Sequence, residues 1–221
     1  MKNLLIVESP NKCKTIAGYL GADWKVVASF GHVRQLPEDR ITIVPPYFKP
    51  TYQVIAERKS TVAKLCAEAK LADTIWLATD PDREGEAIAW HLQEILRPHT
   101  KNKTVHRITF GEITKPAVQR AINEPRQIDH KLVAAQQARE AIDRLIGYTV
   151  SPLLSNSMHS TQSAGRVQSP ALRLIVDREQ EIRTFTPTKH YGVQMKFNND
   201  GIAWVADWLK NDQENNEKGI V

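Results

Sequence analysis

The chain has 221 residues, 41% hydrophobic and 25% charged, an ordinary globular mix that excludes a disordered or fibrous protein. Its two cysteines, Cys13 and Cys66, cannot form a CxxC pair or a multi-cysteine zinc site, and no apolar run approaches a membrane span, so a cytoplasmic protein is expected. The formal net charge of +5 permits an anionic partner such as nucleic acid without requiring one.

Residues Asn3 to Val7 form a short run of apolar, branched side chains and read as a buried strand. The run is too short for the apolar core of a signal peptide, and Glu8 ends it. Ser9 and Pro10 suit a helix N-cap and first turn, and Gly21 a helix stop, so a helix is expected to about Leu20. Lys25 to Phe30 reads as a second strand. Gly31 to Pro50 is a loop, with Pro37, Pro45, Pro46 and Pro50. A helix over Glu57 to Ala72, a strand over Thr74 to Ala78 and an amphipathic helix over Glu84 to Leu96 follow. Val105 to Phe110 reads as another strand, and Thr114 to Ile122 as a helix capped by Thr114. This alternation predicts an α/β fold with an open, mostly parallel sheet.

The pattern changes near Asn123-Glu124-Pro125. One long helix is expected over Asp129 to Gly147, with Leu132, Ala135, Ala138, Ile142 and Leu145 on one face. Ser169-Pro170 opens another helix, to about Ile182. Strands are expected at His190 to Phe197 and Ile202 to Ala206. The polar tail from Asn211 reads as disordered. Two domains are therefore expected, 1–125 and 126–221.

Asp80, Asp82, Glu84 and Glu86 crowd the exit of the Thr74–Ala78 strand, in Ala-Thr-Asp-Pro-Asp-Arg-Glu-Gly-Glu. Ligands of open α/β sheets bind at that end. Carboxylates there repel one another and a phosphate, and a hard divalent cation such as Mg²⁺ relieves both repulsions. A simpler reading is that acidic residues suit the positive end of a helix, which covers Glu84 and Glu86 better than Asp80 and Asp82. Glu8 ends the first strand at the analogous position, and Lys12 follows in the next turn. If those strands are neighbours, a lysine and a carboxylate beside a metal suit phosphoryl transfer. The alternative is a solvated lysine and a helix-start glutamate.

Three segments together resemble the Toprim domain of type IA DNA topoisomerases. They are Ile6-Val7-Glu8-Ser9-Pro10-Asn11-Lys12, Gly31-His32-Val33-Arg34-Gln35-Leu36-Pro37 and the run from Leu77 through Asp80, Asp82 and Glu84 to Ala89. Two later segments, from Gln137 to Tyr148 and from Ser163 to Leu172, resemble the helical strand-binding domain that follows Toprim in that family. The acidic motif alone also fits primases and Toprim nucleases, whereas Ser163-Ala164-Gly165-Arg166-Val167-Gln168-Ser169 fits topoisomerases. The Glu-Ser-Pro-x-Lys form is closer to bacterial topoisomerase I than to topoisomerase III.

The resemblance implies roles. Glu8 would assist proton transfer beside the scissile phosphate, Lys12 would stabilise transition-state charge, and His32 would belong to the same neighbourhood. Asp80, Asp82 and Glu84 would hold Mg²⁺. Arg139, Asp143, Arg144, Arg166 and Gln168 would line a groove for single-stranded DNA. Arg139 and Asp143 are also helix neighbours at i,i+4, which alone fits a surface ion pair. Arg166 precedes an expected helix N-terminus, a natural anion position.

The family cuts DNA with a tyrosine, yet Tyr19, Tyr47, Tyr52, Tyr148 and Tyr191 all lack the Arg-Thr-acidic-Ser type of setting it uses. The resemblance thus implies an N-terminal portion, with a Toprim domain and a truncated helical domain. Such a chain would bind Mg²⁺ and single-stranded or underwound DNA without relaxing supercoils alone. A separate fragment would carry the missing domains. Segments after about residue 185 would be loosely held, with an exposed apolar patch. A non-catalytic single-strand-binding module and a Toprim nuclease are the alternatives.

Overall fold

The computed structural model describes residues 2–38, 40–44, 46–189 and 192–207. By its internal contacts the chain divides into two units, residues 1–170 and 171–221.

The first unit opens with strand β1 (Asn3–Val7), helix α1 (Pro10–Leu20) and strand β2 (Trp24–Ala28). Two very short strands, β3 (Arg34–Gln35) and β4 (Gln53–Val54), pair antiparallel across the proline-rich loop. A 3₁₀ turn over Ala56–Arg58 leads into α2 (Lys59–Leu71). Then come β5 (Thr74–Ala78), α3 (Arg83–Leu96), β6 (Thr104–Arg107), α4 (Lys115–Asn123) and α5 (His130–Met158). Strands β2-β1-β5-β6 form one parallel sheet in that order. The α/β expectation therefore holds, and β1 lies directly beside β5, with Val7 opposite Ala78.

The continuous apolar runs follow from burial on both sides of the sheet. Leu4 and Ile6 of β1 pack with Ile75 and Leu77 of β5 against Leu65 of α2 and Ile88 and Leu92 of α3. The alternate residues, Leu5, Val7, Trp76 and Ala78, face Ile16 of α1 and Val118 of α4. Thr114 caps α4 as expected, its hydroxyl accepting from Ala117 N–H. Strand β2 stops at Ala28 rather than Phe30, because Phe30 and Gly31 turn left-handed, at φ 61° and 83°. The strand read at Val105–Phe110 likewise ends at Arg107.

Helix α5 corrects two expectations. It continues past Gly147 to Met158, with Pro152 inside it. The following loop folds back on this extension: Ser151 Oγ accepts from Ala164 N–H at 3.0 Å, and Ser155 Oγ from Gln162 N–H at 2.9 Å. These bonds help hold a segment weakened by proline. The buried face is also different from the apolar stripe read in the sequence. Val133 and Gln136 are buried, whereas Leu132 and Ile142 are exposed. The stripe lies over Ala138 and Leu145 towards a cavity that Tyr47 and Phe48 line from the loop.

The exit of β5 is held by a buried ionic network. Arg107, fully buried, donates to the carbonyls of Leu77 (3.2 Å), Thr79 (2.7 Å), Asp80 (2.8 Å) and Ile108 (2.6 Å), and through Nε to Glu86 (3.1 Å). The equally buried Glu86 carboxylate also accepts from both Arg126 Nη atoms (2.8 and 2.7 Å) and from Asp129 N–H (2.7 Å). Burial pushes its pKa up, but the bonds from Arg126 and Asp129 and the charge of Arg107 outweigh that and hold it below the ordinary value. Gly85 completes the turn: a Cβ there would lie 2.2 Å from the Asp80 carbonyl oxygen, so only glycine lets α3 start this close to the strand exit.

In the second unit, the greater part of α6 (Gln168–Thr184) precedes an antiparallel hairpin of β7 (Gln194–Asn199) and β8 (Ile202–Asp207). Asp200 and Gly201, both at positive φ, make its turn. Phe197 and Trp204 stack across it at 3.9 Å. Leu172, Ile175 and Ile182 of α6 are exposed, and so, after residue 185, are Val193, Ile202 and Trp204. His190, where the first hairpin strand was expected to start, and the tail from Asn211 lie outside the described residues.

Glu86→Gln leaves the Arg107 guanidinium buried beside a neutral amide, and a loss of about 3–5 kcal/mol is expected in urea unfolding at pH 7. Because the folded-state pKa of Glu86 is depressed, its contribution is full above the unfolded carboxylate range and fades as pH falls from about 5 towards 3. The wild-type thermal midpoint should therefore drop more steeply over that window than that of Glu86→Gln. Gly85→Ala should lower the unfolding free energy by at least as much as a core truncation, about 2–5 kcal/mol in urea unfolding, since the clash is with backbone.

Candidate active site and strand-binding groove

The carboxyl ends of β1 and β5 bring together the residues read from the first and third motifs. Lys12, on the first turn of α1, places Nζ 2.6 Å from Asp80 Oδ1. Glu8 lies at the end of β1 beside them. Burial, then the negative charge of Asp80, raises the Glu8 pKa; Lys12 opposes this, and Glu84 and Asp82 add to it. Glu8 is thus a carboxyl that keeps a proton more readily than an exposed one.

The loop from β2 supplies His32. Phe30 N–H and Gly31 N–H both donate to the Glu8 carbonyl, at 2.9 and 3.3 Å. Gly31 meets the left-handed conformation at no steric cost. His32 Nε2 then reaches Glu84 Oε1 at 3.1 Å. Asp82 has another duty: it caps α3, its Oδ1 accepting from Gly85 N–H at 2.7 Å.

The three carboxylates read as metal ligands therefore stand at one end of the sheet, but each is engaged locally, Asp80 by Lys12, Glu84 by His32 and Asp82 by the helix start. Among the described residues, no three His, Cys, Asp or Glu side chains converge closely enough to hold a metal ion. Hard carboxylate oxygens are the donor type that a divalent cation such as Mg²⁺ takes, but here they do not converge on one point. Convergence would require these local bonds to be exchanged.

A cavity of about 640 Å³ adjoins this region, lined among others by His32, Arg34, Glu140, Asp143, Arg144 and Tyr148. It joins His32 to two of the residues read as strand-binding. Asp143 accepts from Arg166 at 2.8 and 3.4 Å, a forked pair, and lies 3.8 Å from Arg139. Arg166 is thus tied to α5, and α6 begins at Gln168, whose side chain accepts from Ser163 at 3.4 Å. Arg139, Arg166 and Gln168 do not line the cavity themselves. Arg144 donates to the carbonyls of Pro37 (2.9 Å) and Leu36 (3.5 Å) and to Tyr148 Oη (2.9 Å), so it fastens α5 to the Gly31–Pro37 segment. Tyr148 in turn donates to the Glu38 carbonyl.

Several residues of this region were not among the site residues read from the sequence, although Arg34 and Glu140 lie inside the motif segments. Arg34 lies 5.3 and 5.2 Å over the Tyr52 and Trp90 rings. Tyr52 donates to Glu140 of α5 at 2.8 Å and packs on His91. Burial, first, then Arg34 and His32, holds His91 neutral, its pKa lowered to about 3. The Arg107–Glu86–Arg126 network was also missed. Arg107 inside a run read as a strand was its one visible sign.

Comparison with known proteins bears on this arrangement. The Toprim domain family matches residues 3–113, and a DNA topoisomerase family matches residues 127–219. The chain is 49% identical over 208 residues to "DNA topoisomerase I, plasmid" of Xylella fastidiosa (strain 9a5c), covering 93% of this chain and 31% of that protein. It is 46% identical over 200 residues to DNA topoisomerase 1 of Rickettsia bellii (strain RML369-C), covering 89% and 25%. The full-length topoisomerase I structure from Thermotoga maritima superposes with a TM-score of 0.75 at 40% identity, over 97% of this chain and 37% of that one. The chain thus spans about a quarter to a third of the length of these curated relatives. With both family regions in sequence on a sheet that carries Glu8, Lys12 and the acidic turn together, the chain belongs to the type IA DNA topoisomerases.

Proposed function

We propose that this chain supplies the phosphate- and metal-binding side of a type IA cleavage site and holds one DNA strand along the groove from Asp143 and Arg144 to His32. The observation that carries the reading is the 2.6 Å meeting of Lys12 and Asp80, with Glu8 beside them, next to an arginine-bearing cavity. Phosphate contacts of this kind hold a strand without reading its sequence.

In the family's reaction a tyrosine oxygen forms a bond to phosphorus, and the bond from phosphorus to the 3′ oxygen breaks. The departing 3′ oxygen needs a proton. Glu8, beside Lys12 and Asp80 and with its pKa raised by burial and by the charge of Asp80, is placed to give one and to take it back on rejoining. Lys12 stabilises the added negative charge on the phosphate oxygens. Asp80, Asp82 and Glu84 are the residues that would hold Mg²⁺, which when bound neutralises phosphate charge and favours rejoining.

Three of the described tyrosines have their hydroxyls committed elsewhere. Tyr19 donates to Ile113, Tyr52 to Glu140 and Tyr148 to Glu38. Tyr47 stands 88% exposed on the loop over α5. None of the five tyrosines, Tyr191 outside the described residues included, has the Arg-Thr-acidic-Ser type of setting, and we assign the nucleophile to a further segment of the enzyme. No helix of the described residues is long and apolar enough to cross a membrane.

With negatively supercoiled plasmid and Mg²⁺, the chain alone should give no relaxation, and relaxation should appear when a tyrosine-bearing fragment of a related topoisomerase is added. Relaxation by the chain alone would overturn this assignment, and stable nicked or linear products without any tyrosine would instead support a nuclease. In the mixed assay, Lys12→Ala should slow relaxation by about 10²–10³-fold while single-strand affinity, read by fluorescence anisotropy, changes little. Asp80→Asn with Asp82→Asn should abolish any rise in thermal midpoint on adding Mg²⁺ and leave strand binding no weaker.

A further inference from the structure

Phe30 follows the end of β2 in a left-handed conformation, φ 61°, that an aromatic side chain adopts at a steric cost glycine would avoid. Its N–H donates to the Glu8 carbonyl at 2.9 Å, which ties its backbone to the residue that ends β1. Despite its size the residue is 46% exposed. The Arg58 guanidinium lies 5.8 Å from the ring centroid. The residue also lines a cavity of about 430 Å³ between α1, β2 and α2, with Pro10, Val27 and Leu65 as apolar neighbours, Lys64 as a cation, and Glu68, whose carboxylate is paired with Lys25 at 2.5 Å.

A strained, half-exposed aromatic with two cations nearby is poorly explained by packing alone. Stacking on aromatic rings is how proteins hold unpaired bases, and adjacent cations take the phosphates. We propose that Phe30 is a stacking platform for one unpaired base of the strand flanking the cleavage position, with Arg58 and Lys64 drawing the neighbouring phosphates. This rests on the single-strand reading above and adds a contact at the β2 edge of the sheet, apart from the α5 groove.

The test uses the whole chain and oligodeoxynucleotides of about 12 residues carrying one 2-aminopurine, moved position by position. Phe30→Ala and Phe30→Gly should weaken binding by the same factor, about tenfold, although the glycine variant, free of backbone strain, unfolds at the higher temperature. Phe30→Trp should keep the wild-type affinity. The fluorescence quench at one oligonucleotide position should be lost in both truncated variants. Wild-type affinity in Phe30→Gly, or affinities that follow thermal stability, would overturn the proposal by placing the importance of Phe30 in its backbone. Failure of the wild type to bind any single strand would overturn the single-strand reading itself, and the platform with it.

Discussion

The buried Arg107–Glu86 pair is the constraint on which the rest of the site depends. A strand that ends at the carboxyl edge of a parallel sheet leaves carbonyls beyond the ladder, and here those of Thr79 and Asp80, together with those of Leu77 and Ile108, accept from one guanidinium. An arginine buried this completely needs a counter-charge, and Glu86 provides it. Glu86 in turn draws in Arg126 and the N–H of Asp129, so the connection after α4 and the start of α5 are tied to the same point. The turn bearing Asp80, Asp82 and Glu84 is thus fixed from beneath by backbone contacts, leaving its side chains free for other duties.

Those side chains illustrate how an acidic site stays folded by itself. Four carboxylates around one turn repel one another, and the raised pKa of Glu8 registers part of that strain. Each of the other three is balanced by a different local partner: an ammonium, an imidazole and a helix N-terminus. On the proposed reading the same partners are then available to a phosphate. Lys12 is the clearest case, since one ammonium can serve Asp80 at rest and a phosphate oxygen when a strand is present.

Helix α5 is the element that makes the sheet edge and the groove one continuous surface. Val133 packs into the core cluster that holds Ile88 and Leu92 of α3. About two and three turns later Glu140 and Arg144 reach back to Tyr52 and to the Leu36–Pro37 carbonyls. The face turned towards the Toprim region is therefore largely polar, and its specific hydrogen bonds set where the groove runs. A helix that docks through polar groups is sensitive to their geometry, because each buried group left unpaired is penalised.

The sequence by itself determined the strands of the parallel sheet, the helix starts at Pro10 and Thr114, and the family, because these rest on local composition. Apolar runs, caps and short contiguous motifs are visible within a few residues. It also identified Glu8, Lys12 and the acidic turn, since each motif is contiguous. Only the tertiary structure decided which charges meet. Glu86 is 21 residues from Arg107 and 40 from Arg126, Lys12 is 68 from Asp80, and Arg144 is 107 from the Pro37 carbonyl it holds. The buried face of α5 was misread for a related reason: hydrophobic periodicity identifies an apolar face but not what covers it. Here a polar ridge found partners on another element, and the apolar stripe was left to the loop carrying Tyr47 and Phe48. Burial and pairing depend on what the fold brings alongside, and the spacing of residues along one helix does not contain that.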